Sequence, residues 1–183
     1  MTQKHTPPLP RNIAWARAWS YNPPMSQQQE KTNAIRLLEA SGLSFDILHY
    51  EVDEDLSATH AAAKLGLDPD QVFKTIVLVG ERLGHFVCVI PGSCEIDLKK
   101  AAKAIGDKGC ALLPLKELEP LTGYVRGGCS PIGMKKRLPT ILDETALLFD
   151  RISISAGSRG MQIFLDPQIL PRIVGASMAD LIA

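Results

Sequence analysis

Val72-Phe73-Lys74-Thr75-Ile76-Val77-Leu78-Val79 and, just beyond it, His85-Phe86-Val87-Cys88-Val89-Ile90 decide the fold. Both runs are apolar and rich in β-branched or aromatic residues, the pattern of buried strands. Only a tight loop around Gly80 and Gly84 separates them. They therefore pair as a hairpin, because a parallel pair would need a crossover of a dozen residues or more. Elsewhere helices and strands alternate. A chain that combines hairpins with such alternation builds an α/β mixture around a mixed sheet.

Working back from the hairpin, Asp68-Pro69 starts a short helical turn with proline at its favoured first position. Ser57 caps an alanine-rich helix, His60 to Leu65, that Gly66 ends. Ser44 to Tyr50 reads as a strand, followed by an acidic turn at Glu51 to Asp55. Thr32 caps a helix carrying Ile35, Leu37 and Leu38, stopped by Gly42. Residues 1–27 differ in character. Pro7, Pro8, Pro10, Pro23 and Pro24 punctuate them, and both tryptophans, Trp15 and Trp19, lie there. They read as an N-terminal arm, mobile or untranslated, with Met25 as an alternative start, ahead of a single domain at 28–183.

Working forward, Asp97 caps a helix to Ile105, closed by Gly106. A short strand at Ala111 to Leu113 leads into a helical turn at Pro114 to Leu118. Strand-like runs enter (Tyr124 to Arg126) and leave (Pro139 to Leu142) a glycine-rich loop. Ile152 to Ser155 and Met161 to Leu165 form a hairpin around Gly157-Ser158-Arg159-Gly160, and Asp166-Pro167 opens last helices to Val174 and over Met178 to Ile182. No repeat or low-complexity tract interrupts this order.

Two features carry chemistry. The loop Gly127-Gly128-Cys129-Ser130-Pro131-Ile132-Gly133-Met134-Lys135-Lys136-Arg137 places glycines beside three consecutive cations. Glycine lets backbone amides approach a ligand and turn into an anion-binding nest. The same residues also suit a connecting loop with a solvated basic tip. Lys74 opens the apolar strand, where an ammonium is unfavourable unless it reaches a partner, a polar cavity or water. Together the loop and the lysine suggest one pocket with backbone donors and one positive charge, although their separation in sequence leaves their meeting open.

Composition narrows the classes. Twenty Lys and Arg balance twenty Asp and Glu, so no global field favours a polyanion. Any such site is a local patch, such as Lys99, Lys100 and Lys103 or Lys135 to Arg137. The four cysteines (Cys88, Cys94, Cys110, Cys129) show no C-x-x-C spacing and do not cluster with the histidines. No metal site and no disulfide framework is expected, and a reducing, cytoplasmic setting is the simplest reading. No apolar run reaches membrane-spanning length.

Protein-borne nucleophilic catalysis has little support. Cys129 and Ser130 lie in the glycine loop, but no histidine is near in sequence and the strand–turn–helix of a nucleophile elbow is missing. Cys129 reads as a small apolar side chain packed under the loop. A phosphate-binding P-loop fails because Met134 stands where the lysine belongs. Asp53 to Asp55 and Asp143-Glu144 read as solvated acidic turns, and His60 as a helix-surface residue. Ser155, Ser158 and Arg159 fit hairpin-turn chemistry as well as anion binding.

Seven blocks in order carry a family resemblance: Tyr50-Glu51, Val72-Phe73-Lys74-Thr75, Asp97-Leu98-Lys99-Lys100, Thr122-Gly123-Tyr124, Gly127 to Gly133, Lys135 to Thr140 and Ser155 to Gly160. The series closely resembles the YbaK family of bacterial aminoacyl-tRNA deacylases, free-standing relatives of the editing domain of prolyl-tRNA synthetase, over about residues 30–183. The resemblance implies a mixed, barrel-like sheet surrounded by helices. It also implies removal of cysteine wrongly attached to tRNA(Pro), with Cys-tRNA(Cys) as a further substrate. A separate editing site is needed because pocket fit between side chains of similar size discriminates by only about 1–3 kcal/mol. No cofactor is implied. Partners are the acceptor end of aminoacyl-tRNA and prolyl-tRNA synthetase.

The implied mechanism explains the missing nucleophile: the substrate's own thiol attacks its ester carbonyl and leaves as a cyclic thiolactone. By matching motif, Lys74 resembles the pocket lysine that holds the ester or terminal ribose, and Gly127 with Gly128 the backbone that addresses the carbonyl. Tyr50, Thr75, Ser130, Ser155 and Gln162 resemble substrate-binding positions. Lys135, Lys136 and Arg137 are candidates for tRNA phosphates on electrostatic grounds. The chain departs from many members at Ser57-Ala58-Thr59, where an aromatic is usual, and at Gln162, where some carry an acid. Two alternatives stay open: a deacylase for Ala-tRNA(Pro) that uses water, and a non-catalytic module that binds tRNA or synthetase.

Overall fold

The computed structural model describes residues 31–183, so the expectations for the arm at 1–27 and for Met25 lie outside the described residues. Helix α1 (Asn33–Ser41) begins where Thr32 Oγ1 accepts from the Ile35 N–H and ends at Gly42, and it buries Ala34, Ile35 and Leu38. Strand β1 (Phe45–His49) follows. Helix α2 (Ala58–Leu65) is capped by Ser57, whose side chain accepts from the His60 N–H. After a 3₁₀ turn at Pro69–Gln71 come β2 (Phe73–Gly80) and β3 (Gly84–Pro91), antiparallel from Phe73 opposite Pro91 to Gly80 opposite Gly84.

Helix α3 (Leu98–Ile105) is capped by Asp97, which accepts from the N–H of Lys99 and Lys100. Then come β4 (Cys110–Leu112), α4 (Leu115–Thr122), the glycine loop, β5 (Thr140–Asp143), β6 (Ile152–Ser155), β7 (Met161–Leu165), α5 (Ile169–Val174) and β8 (Ser177–Ala179). The strands form two sheets, ordered β1-β7-β6 and β4-β2-β3-β5-β8. The first is antiparallel, whereas in the second β5 runs parallel to both β3 and β8. The mixed α/β class is as expected, with the mixed sheet opened into two pieces that meet at a bridge between Val72 and Ser153.

The larger sheet is covered on both faces. Phe73, Val77, Val87, Val89 and Leu142 join α1 and the smaller sheet in one core. Leu78, Phe86, Cys88, Ile90 and Ile141 join Ala101 of α3 and Leu181 in the other. Each large apolar side chain so buried contributes about 1.5–3 kcal/mol. Because side chains alternate along a strand, Lys74 falls on the α3 face and Thr75 on the opposite one.

Four expectations change. Tyr124 to Arg126 is not a strand: Thr122 Oγ1 accepts from the Tyr124 N–H and the chain turns directly into the loop. Helix α4 runs through Pro120 to Thr122, because the one amide that proline removes lies near the helix end. Met178 to Ile182 is not a helix; after Gly175 the chain pairs as β8 alongside β5. Asp143 is fully buried, not solvated, since its carboxylate accepts from the N–H groups of Leu181 (2.8 Å) and Thr145 (3.0 Å).

Candidate active site

Lys74 is the second residue of β2. Its half-buried side chain directs Nζ to the Gly92 carbonyl and to Glu95 Oε1, both at 3.3 Å. The ammonium is thus neither buried without a partner nor free in water. Glu95 is 84% exposed, so it can leave the pair at little cost. Thr75, next along, has a buried hydroxyl with no hydrogen-bond partner among the described residues. Leaving such a group unsatisfied costs about 1–3 kcal/mol, so it is a donor or acceptor in waiting.

The glycine loop reaches the same neighbourhood through one short segment. Gly127 has φ +82°, and a Cβ there would lie 3.1 Å from Leu56 Cβ. A Cβ on Gly92, whose carbonyl holds Lys74, would lie 2.6 Å from Ala58 Cβ. The entry to α2, Leu56 to Ala58, therefore touches both the glycine loop and the backbone beside Lys74. Gly128 packs on the opposite side, where a Cβ would lie 3.1 Å from the Arg159 amide nitrogen. Its N–H closes a turn on Val125 O at 3.0 Å, and Arg159 Nε donates to Arg126 O at 3.0 Å. The turn at 157–160 thus props the loop from behind.

Three further expected positions lie on the smaller sheet or at its edge. Tyr50 donates its N–H to Gly160 O at 2.9 Å. Ser155 and Gln162 face each other across β6 and β7, both buried. The Ser155 hydroxyl accepts from the Gly157 N–H, and Gln162 Oε1 accepts from Ser153 Oγ, each at 3.3 Å. Ser153, which the sequence did not single out, is also the residue bridged to Val72, two residues before Lys74. Ser130 is fully buried and its hydroxyl accepts from the Ile132 N–H at 3.2 Å, a loop-shaping bond.

The basic run sits elsewhere on the loop. Lys135 donates its N–H to Thr122 O at 2.9 Å and lays its stem against Gly123. Lys136 and Arg137 line a groove of about 190 Å³ with Leu37 of α1 and Ile173 of α5. Lys74 does not line that groove. Gly133, expected as part of a nest, is wedged between the Tyr124 hydroxyl and the backbone of Asn33 and Ala34, which makes it a packing position.

The described residues hold no activated nucleophile in the loop. Cys129 is buried, and burial pushes its thiol up to about 12. Such a thiol carries almost no thiolate near neutrality. His60 is engaged with acids: Nε2 lies 2.8 Å from Asp53 Oδ2, and Lys64 Nζ lies 2.5 Å from the same oxygen. Lys64 and His60 together hold the Asp53 carboxyl down to about 2. The acidic turn is exposed as expected but fastened to α2 by this cluster. Among the described residues no three His, Cys, Asp or Glu side chains converge to hold a metal ion, and no helix is long and apolar enough to cross a membrane.

A family model described as the aminoacyl-tRNA editing domain matches residues 54–173. The chain belongs to that family. The matched span begins in the segment that carries Leu56, takes in Lys74, Glu95 and the glycine loop, and ends in α5. A candidate Cys-tRNA(Pro)/Cys-tRNA(Cys) deacylase, EbsC, from Enterococcus faecalis is 47% identical over 154 residues, covering 84% of this chain and 94% of its own. The crystal structure of a candidate trans-editing enzyme for prolyl-tRNA synthetase is 28% identical with TM-score 0.74, covering 82% of this chain and 95% of that one. A hypothetical protein at 23% identity and TM-score 0.75, covering 82% and 99%, shares the editing-domain fold.

Sequence reasoning about this editing domain missed Glu95, Leu56 and Ser153. Glu95 lies between the end of β3 and the Asp97 cap, where nothing in the local pattern marks it as the partner of Lys74.

Proposed function

We propose that this chain is a trans-editing aminoacyl-tRNA deacylase that clears cysteine from tRNA(Pro), with Cys-tRNA(Cys) as a further substrate. The observation that carries the reading is the Lys74 ammonium, held among the described residues by a carbonyl and an exposed carboxylate and joined through the Leu56–Ala58 segment to a glycine loop whose single thiol is buried and held up near 12. Such a site offers a cation and backbone donors and leaves the nucleophile to the substrate. The likeness to EbsC supports the substrate class.

In this mechanism the cysteinyl thiolate attacks its own ester carbonyl carbon. The carbon–oxygen bond to the terminal ribose then breaks, the ribose oxygen takes up a proton, and the amino acid departs as a four-membered thiolactone. Intramolecular reactions gain effective molarities of about 10⁵–10⁸ M in favourable cases, and ring strain places this one lower. The protein's contribution is to fold the substrate and stabilise the oxyanion. Lys74 supplies the positive charge and Gly127 the backbone approach, while Thr75, on the opposite face of β2, supports the strand that carries the lysine. Tyr50, Ser155 and Gln162 shape the wall, Ser130 holds the loop, and Gly128 anchors it on Arg159. Lys135, Lys136 and Arg137 contact the RNA further from the ester, and prolyl-tRNA synthetase supplies the mischarged tRNA in the cytoplasm.

The test is deacylation of cysteinyl-tRNA(Pro) beside alanyl-tRNA(Pro) by the purified chain. Rapid loss of cysteine with alanine retained is the expected result. Equal loss of both, or loss of alanine alone, would assign the attack to water. Binding without turnover of either would make the chain a tRNA-binding module.

A further inference from the structure

A second basic surface lies on α3, and folding accounts for only part of it: Lys103 stands in the last turn, where the helix dipole favours a cation. Lys99 and Lys103 are four residues apart on its exposed face, about 6 Å along the axis. Like charges at that spacing disfavour a helix. Lys99 also stands in the first turn, where the helix dipole disfavours a cation. Gly106 ends the helix, and the following turn brings Lys108 to the same depression, a cavity of about 390 Å³. All three lysines are exposed, and none pairs with a carboxylate among the described residues. Their neighbour Lys100 is different, because its Nζ is spent on Asp180 (2.9 Å) and Ile182 O (2.6 Å).

The acid of the depression does not neutralise it. Asp107 has a fully buried side chain that accepts from the N–H groups of Arg82 (2.9 Å), Leu83 (2.8 Å) and Lys108 (2.7 Å). It also draws Arg82 Nε to 3.3 Å and so adds a fourth cation to the rim. Two further carboxylates lie beside the row among the described residues: Glu81, against Gly109, and the capping Asp97, which accepts from the Lys99 N–H at 2.8 Å. Four cations against three carboxylates leave a small positive balance, and it is carried by three lysines that no carboxylate pairs. The row also has a direction. Its near end, the Asp97 cap, is two residues from Glu95, which touches Lys74. It then runs away from Lys74 through Lys99 and Lys103 to Lys108.

We infer that Lys99, Lys103 and Lys108 form a phosphate track that carries the RNA backbone leading away from the ester bound at Lys74. The inference rests on the deacylase reading for the position of that ester, whereas the track itself stands on charge and geometry. The ligand class is a phosphodiester backbone, here the acceptor strand of the substrate tRNA. The lysines read no bases; they fix where the strand lies.

An uncharged acceptor-stem minihelix of tRNA(Pro), with binding followed by fluorescence anisotropy between 50 and 200 mM salt, tests this. Each phosphate contact contributes about 0.7–0.9 to the slope of log affinity against log salt, so three together account for a roughly 20- to 40-fold loss across that range. The triple variant K99A/K103A/K108A is expected to lower the slope by about 2 to 3. The triple arginine variant is expected to restore it. Turnover of a cysteinyl ester of adenosine alone, which cannot reach the track, is expected to stay as in the wild type. A triple alanine variant that binds the minihelix with the wild-type slope overturns the track, and so does an equal loss of turnover on the adenosine ester. If the wild type releases cysteine from neither cysteinyl-tRNA(Pro) nor the adenosine ester, the deacylase reading fails, while the minihelix titration still decides the track.

Discussion

Lys74 Nζ lies equidistant from Gly92 O and Glu95 Oε1, at 3.3 Å from each. The carbonyl is a fixed partner in the loop after β3, and the exposed carboxylate is a dispensable one. An exposed pair of this kind contributes about 0–1 kcal/mol. Lys74→Ala should therefore leave the melting temperature nearly unchanged and lower kcat by at least about 10²–10³-fold, the range for losing one oxyanion-stabilising group. Glu95→Gln should keep both fold and turnover. A folded Lys74→Ala protein that still deacylates would remove the lysine from the mechanism.

Gly127 is constrained in two ways. At φ +82° a side chain is strained whatever the space, by about 1–2 kcal/mol, and Leu56, 3.1 Å from where its Cβ would lie, would have to give way slightly. Gly127→Ala should lower stability by about that amount and lower turnover as well, read by urea unfolding and single-turnover deacylation. Leu56→Gly added to it removes the Leu56 Cβ at 3.1 Å together with the δ carbons and so relieves the contact. If the double variant recovered full stability, crowding and not backbone conformation would be the cause.

Helix caps account for much of what was legible in the chain. Thr32, Ser57 and Asp97 each precede an apolar run, and Gly42, Gly66 and Gly106 each end one, so both ends of α1, α2 and α3 are set by residues a few positions apart. The hairpins were readable for the same reason. Met178 to Ile182 was not, because its apolar spacing suits helix and strand alike and its partner β5 is distant in sequence. The lysine and glycine loop announced themselves as chemically odd residues. Glu95 did not, since an acid before a capped helix is ordinary until the fold brings Lys74 beside it.

Burial decides the behaviour of the thiols. Cys88 and Cys129 are both pushed up to about 12, chiefly by desolvation, while Cys94 and Cys110 are only half-buried. Iodoacetamide near pH 8 should modify Cys94 first in the folded protein, Cys110, whose thiol burial also raises and which donates to Leu98 O, more slowly, and spare the other two until it unfolds, as peptide mass mapping would show. Cys129→Ala should be nearly silent in turnover. A dead Cys129→Ala enzyme with a normal melting temperature would restore a protein nucleophile.

Asp107 sets an acid limit on stability. The backbone N–H groups of Arg82 and Leu83, ahead of other donors, hold its carboxyl down to about 2 from an ordinary 3.8. A carboxyl depressed by folding stabilises above its unfolded value, and that contribution is lost as pH falls through the folded value. Wild-type stability should therefore decline between about pH 4 and pH 2, with Asp53, also held to about 2, adding to the slope. Asp107→Asn should be less stable at pH 7 and show a shallower decline, measured by thermal melts across that range. An unchanged slope would mean that other carboxylates govern acid unfolding.

The register of β2 against β3 has a consequence for how this protein tolerates insertions. Lys74 faces α3 and Thr75 the opposite core only because Gly80 stands opposite Gly84 and fixes every pair down the ladder to Phe73 and Pro91. A strand that slips by one residue turns every side chain to the other face. A single amino acid inserted into β2 near that turn would thus drive the ammonium into a core of valine, isoleucine and phenylalanine and carry the threonine to where the ester should sit. A lesion at the far end of the hairpin would then look, in any assay, like damage to the lysine itself.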